Sequence, residues 1–112
     1  MKIYHNPRCS KSRQALSILQ ESDVEVQVIN YLKQPVSKTE LTNLISLMGI
    51  APIDLIRKNE AIWKSHFKGK ALSDDALITA MVNHPKLIER PIVVHKDTAL
   101  IGRPPERVKT LL

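Results

Sequence analysis

Apolar and polar positions change period several times along this chain, and each change predicts an element. Ile3-Tyr4 opens a short buried strand that Asn6-Pro7 cuts off. From Ser10 to Glu21, Ala15, Leu16 and Leu19 recur at helical spacing with Ile18 beside them, and the polar cluster Glu21-Ser22-Asp23 ends the run. Val24, Val26 and Val28 then alternate with Glu25 and Gln27, the period-2 pattern of a strand with one buried face. This stretch predicts β-α-β, a unit that normally makes a right-handed crossover between parallel strands.

The middle predicts helices. Ser37-Lys38-Thr39-Glu40 is a capping box, a hydroxyl at the N-cap with a carboxylate three residues on. Leu41, Leu44, Ile45 and Met48 follow on one face, and Gly49 supplies the stop. Pro52 suits the first turn of a helix running through Arg57, and a further short helix is expected from Glu60 to Phe67, ended by Gly69. Ser73-Asp74-Asp75 reads as a helix start with carboxylates favoured by the helix dipole; Leu77, Ile78, Met81 and Val82 form its stripe, and His84-Pro85 stops it. The end returns to strands. Pro91-Ile92-Val93-Val94 and Thr98-Ala99-Leu100-Ile101, joined by His95-Lys96-Asp97, predict an antiparallel hairpin. Pro104-Pro105-Glu106 opens a last short helix that turns Val108, Leu111 and Leu112 inward. This order resembles the thioredoxin-like plan. The expected fold is α/β, a small mixed four-stranded sheet in a single domain spanning 1–112, with a helical insert at about 37–84 between the β-α-β and β-β-α halves.

Composition narrows the classes. A chain of 112 residues with 43% apolar and 25% charged positions is one ordinary globular domain, and at 4% aromatics its core must be Leu, Ile, Val and Ala. No apolar run approaches the roughly 18 residues of a membrane span, so no membrane partner is expected. Met1-Lys2-Ile3-Tyr4-His5 has no apolar signal region, and the expected location is the cytoplasm. The formal charge of +6 could serve nucleic acid, but the 17 basic residues are scattered and no aromatic platform accompanies them, so no nucleic-acid partner is expected. The plain reading of the basic balance is a solvated surface, and the open question is whether a few arginines converge on one anion.

The single cysteine, Cys9, excludes an internal disulfide and any multi-thiolate metal site; no metal is expected. A lone cysteine is often just a small buried hydrophobe. Its placement between the first strand and the first helix changes that reading. Unpaired N–H groups and the positive end of the helix dipole favour thiolate over thiol there. Arg8, Lys11 and Arg13 push the same way, weakly if exposed. Ser12, three residues on, is within reach of the sulfur, and His5, across the Asn6-Pro7 turn, could donate a hydrogen bond or a positive charge. Ser12 also stands where a dithiol oxidoreductase has its second cysteine. With no resolving thiol in the chain, the second thiol must come from outside, and glutathione is the obvious supply.

The segment His5-Asn6-Pro7-Arg8-Cys9-Ser10-Lys11-Ser12-Arg13 resembles the active-site segment of the ArsC family of glutaredoxin-dependent arsenate reductases, of the ArsC/Spx superfamily. Further segments agree in order: Leu55-Ile56-Arg57 with Glu60, Leu72-Ser73-Asp74, His84-Pro85-Lys86-Leu87-Ile88-Glu89-Arg90-Pro91-Ile92-Val93, and Ile101-Gly102-Arg103-Pro104. Arg8, Ser10 and Lys11 stand where resistance members carry smaller residues, and the chain ends soon after Pro104, so the resemblance is to the shorter chromosomal branch. It implies Cys9 as nucleophile on arsenate, Arg57, Arg90 and Arg103 as oxyanion-binding groups, and His5 and Ser12 as stabilisers of the thiolate. It implies no bound cofactor, glutathione as co-substrate and glutaredoxin as the partner that reduces the mixed disulfide. By the same resemblance the Arg90–Pro91 bond is expected to be cis, with Arg90 turned toward Cys9. The spacing excludes the phosphatase-type route, whose anion loop separates its Cys and Arg by five residues; here Arg13 follows Cys9 at i+4.

Other classes remain to be weighed. A glutathione-dependent reductase of mixed disulfides would share Cys9 without needing three arginines. A polymerase-binding regulator of the Spx type would normally carry a Cys-x-x-Cys switch, which Ser12 removes here.

Overall fold

A computed structural model describes residues 1–112, and the chain forms two compact units. The first comprises Met1–Gln34 with Arg90–Leu112, and the second comprises Pro35–Glu89.

The first unit is built on strands β1 (Lys2–His5), β2 (Gln27–Asn30), β3 (Ile92–His95) and β4 (Thr98–Ile101), in the order β2-β1-β3-β4. β1 and β2 are parallel, with Lys2 opposite Gln27 and His5 opposite Asn30. β3 runs antiparallel to both β1 and β4. Helix α1 (Ser10–Gln20) makes the crossover from β1 to β2. Its Ala15 and Leu19 are fully buried in one cluster with Ile3, Val93, Val108 and Leu111. The alternating valines place β2 too early. Pairing starts at Gln27, opposite the start of β1, so Val24 and Val26 precede the strand and Val28 lies 44% exposed on it. A strand lasts only as long as its neighbour's ladder, and β1 is four residues long. The β3–β4 hairpin closes through Lys96-Asp97, with Lys96 at φ 55°. The last expected helix is a 3₁₀ helix over Pro105–Leu111. The Arg90–Pro91 bond is cis, and so is Arg103–Pro104.

The second unit holds α2 (Lys38–Met48), α3 (Ala61–His66) and α4 (Asp74–Asn83). Its caps follow the local rules. The Ser37 hydroxyl accepts from the Glu40 N–H at 3.1 Å, Gly49 ends α2 at φ 66°, and the Ser73 hydroxyl accepts from the Ala76 N–H at 3.1 Å. Leu41, Leu55, Met81 and Leu87 are fully buried. One expectation fails here. Pro52 starts only a 3₁₀ turn that ends at Leu55, and Ile56 is extended at φ −89°, ψ 132°. Ile56 bridges antiparallel to Ile88, the Arg57 N–H donates to the Leu87 carbonyl at 2.7 Å, and the Glu89 N–H donates to the Leu55 carbonyl at 2.8 Å. Arg57 therefore follows an isolated antiparallel bridge between two segments of the chain and is not on a helix. The non-local partner, invisible to a scan of local periodicity, overrides the helix signal of Pro52.

Candidate active site

Cys9 is the N-cap residue of α1, in extended conformation at φ −93°, ψ 121°, and it is partly exposed. A short turn sets it there. The Cys9 N–H donates to the Asn6 carbonyl at 3.0 Å, and the Arg8 N–H donates to the Asn6 Oδ1 at 3.0 Å. Asn6 is only 7% exposed, so one buried amide closes the loop from inside. The Asn-Pro pair signalled a turn, but nothing in its local pattern marked Asn6 as the residue that organises the cysteine.

Burial pushes the Cys9 thiol up, and four favourable interactions outweigh it, so the thiol titrates below its ordinary value. The strongest is the backbone N–H of Ser12. Next come a hydrogen bond from the Arg90 side chain and that group's charge, and then the backbone N–H of Lys11. Arg103 adds a contact of its own, Nη1 to the Cys9 Sγ at 3.7 Å, and the same Nη1 donates to the Arg90 carbonyl at 3.3 Å. Two arginines that flank β3 and β4 thus meet on one sulfur, although 94 positions separate Arg103 from Cys9. The cations near Cys9 in sequence do less. Arg13 turns back to donate to the Pro7 carbonyl at 2.9 Å, and Lys11 acts through its amide.

Ser12 and His5 contribute differently from the simplest expectation. The Ser12 side chain is fully buried, and its hydroxyl accepts from the Asn6 N–H at 3.1 Å and meets His5 Nδ1 at 2.6 Å. What Ser12 offers the sulfur most strongly is its main-chain N–H. Burial, and secondarily the charge of Arg13, hold His5 below the usual histidine range. That shift favours the neutral imidazole. Its contact is with the Ser12 hydroxyl, and it is not among the groups that lower the Cys9 value.

Gly102 sets the spacing of the two arginine-bearing segments. Its N–H donates to the Pro91 carbonyl at 2.8 Å. A β-carbon here would lie 3.0 Å from Pro91 Cγ and 3.1 Å from Val108 Cγ1, tighter than most packed contacts, so those side chains would have to give by a few tenths of an ångström. Arg57, in the helical unit, donates from Nε to Glu60 Oε1 at 3.2 Å, and both side chains are mostly buried.

A mixed sheet ordered β2-β1-β3-β4, with the chain's one cysteine at the start of the first helix and facing cations, defines a thioredoxin-like protein. Comparison with known proteins gives the family. Residues 4–111 match the ArsC family. The chain is 46% identical to a solved structure of an arsenate reductase from Vibrio cholerae, with a TM-score of 0.94 over 100% of this chain and 98% of that one. It is 40% identical to an arsenate reductase of Neisseria meningitidis, covering 100% of this chain and 97% of the relative. It is 48% identical to the protein YfgD of Escherichia coli K12, covering 96% and 92%. The chain belongs to the ArsC family.

Proposed function

We propose that this protein reduces arsenate to arsenite, with Cys9 as its only nucleophile, glutathione as co-substrate and a glutaredoxin as the final reductant. The observation that carries the reading is the Cys9 sulfur, held toward thiolate and faced by the guanidinium groups of Arg90 and Arg103. A thiolate and an arsenate anion repel. Attack becomes possible where fixed cations neutralise the oxyanion as charge moves. Guanidinium is planar, always charged and able to grip two oxygens.

The steps balance. The Cys9 thiolate bonds to arsenic(V), and one arsenate oxygen leaves, protonated, as water. The thiolate of glutathione then attacks the Cys9 sulfur. The new disulfide forms, the arsenic–sulfur bond breaks, and its electron pair stays on arsenic, which departs as arsenite. Two thiols have been oxidised to one disulfide, and arsenic has gained two electrons. A glutaredoxin thiolate takes the glutathionyl group and frees Cys9. The chain has no second cysteine to do this internally. Such a cycle belongs in a reducing compartment, the cytoplasm. Arg57 enters this reading from the family resemblance alone, so its variant is the one that can remove it.

The test is arsenite production by the purified chain with arsenate, glutathione and glutaredoxin, beside glutathione alone. The reading expects turnover that requires both reductants. A chain that makes no arsenite under these conditions, yet reduces small mixed disulfides, is a mixed-disulfide reductase and the arsenate reading falls.

A further inference from the structure

A cleft of about 320 Å³ opens beside the Cys9 loop, lined by Asn6, Pro7, Arg8, Asn30, Leu32 and Lys33. Its size is at the low end for small-molecule sites. It lies at the carboxyl ends of the parallel strands β1 and β2, where His5 pairs with Asn30, and crevices at such ends are the usual ligand positions in α/β sheets. Its walls are built alike. Asn6 Oδ1 accepts the Arg8 N–H at 3.0 Å, and Asn30 Oδ1 accepts the Leu32 N–H at 3.2 Å. Each amide oxygen is thereby engaged in its turn, which leaves the Nδ2 donor of each as the group for a ligand. The Arg8 and Lys33 side chains add two exposed cations that form no ion pair with a carboxylate, and no acidic residue lines the cleft. A lining whose only charges are two cations, with amide N–H donors beside them, favours an anion, and two cations suit a ligand with more than one carboxylate.

We propose that this cleft seats the co-substrate thiol, a short peptide thiol gripped through its carboxylates by Arg8 and Lys33. The identity of that thiol as glutathione rests on the functional reading above. Reach supports the assignment. Arg8 is the residue next to Cys9, one Cα step of about 3.8 Å, and an extended tripeptide spans about 10 Å. A ligand anchored by its carboxylates can therefore bring its central thiol to the Cys9 sulfur. Arg90 and Arg103 stay with the oxyanion, so the two anionic reactants have separate cations.

The experiment uses S-methylglutathione, which cannot react, titrated into the full chain while backbone amide signals are followed. Saturable shifts should centre on Arg8, Asn30, Leu32 and Lys33, and should vanish when the peptide's carboxylates are esterified. The double variant R8Q/K33Q should bind about tenfold more weakly or worse, as expected for losing charge-assisted hydrogen bonds. Its Cys9 should still alkylate with neutral iodoacetamide, and K33Q alone, away from the Cys9 loop, should do so at the parental rate while also binding more weakly, which shows that the loop is intact. In turnover its KM for glutathione should rise while its KM for arsenate holds. Absent or unsaturable shifts, shifts centred elsewhere, or equal binding by the double variant would each overturn the proposal. So would a variant that slows only the glutaredoxin step, which would make the cleft a protein-docking edge. A parent that makes no arsenite overturns the functional reading and leaves the titration to decide the cleft.

Discussion

In the helical unit, Arg57 directs its Nε to Glu60 three residues away; in the α/β unit, Arg90 and Arg103 turn to the Cys9 sulfur. The residue type is the same and the family resemblance groups all three, but the settings differ. A carboxylate one turn away gives Arg57 a local partner. Arg90 and Arg103 flank strands whose pairing carries them to the start of α1, and there the thiol answers to them. The contrast separates an arginine that has a carboxylate partner from two whose guanidinium groups bear on the thiol.

The largest effect should come from removing the sulfur. Cys9→Ser should abolish arsenite formation, because no other thiol can substitute; residual turnover above the uncatalysed rate would end the nucleophile assignment. Next, Arg90→Lys and Arg103→Lys should each lower arsenate kcat/KM by about tenfold or more, since ammonium keeps the charge and loses the two-point grip. Arg57→Lys is the variant that can break the comparison. The three-arginine reading expects a loss of the same order, and parental kinetics would return Arg57 to a structural pairing with Glu60. Arg107→Lys, at an exposed position, serves as the control and should change little.

Gly102→Ala comes next. Overpacking against Pro91 and Val108 should cost about 1–3 kcal/mol, read as a lowered Tm. It should also raise the alkylation midpoint of Cys9 by displacing the arginine-bearing segments. A variant of parental Tm and midpoint would show that Pro91 gives way freely.

The smallest effects are in pH. Cys9 should alkylate with a midpoint below the free-thiol value of about 8.5, and Arg90→Gln should move that midpoint up. The folded thiol value is depressed, so Cys9 adds stability that is complete above the unfolded value and lost as pH falls through the folded one. The stability of the parent relative to Cys9→Ser should therefore grow from neutral to alkaline pH. A difference flat in pH would contradict the thiolate.

Local signals carried much of the architecture. The Ser37 and Ser73 caps, the Gly49 stop and the position of Cys9 at the start of α1 need only neighbours within one turn, and all were readable. Features set by a distant partner were not. β2 starts where β1 offers pairing and not where the valines alternate. Arg57 follows Ile56 onto a bridge with Ile88 in place of continuing from Pro52. The hydroxyl of Ser12 is engaged by His5 and Asn6, and this emerges only when the loop is folded. For the site, position in the chain pointed to Cys9, whereas the grouping of Arg90 and Arg103 with it came from the resemblance to a family. No periodicity could have joined residues so far apart.

The solitary thiol has a consequence for survival under oxidants. A partly exposed thiolate is the form peroxide attacks, and the first product is a sulfenic acid. Many proteins rescue that species with a nearby cysteine. This chain has none, so an oxidised Cys9 must be capped by a free thiol from solution or pass irreversibly to the sulfinic and sulfonic acids. If the proposed cycle holds, the small thiol it consumes is thus also the molecule's shield against permanent inactivation.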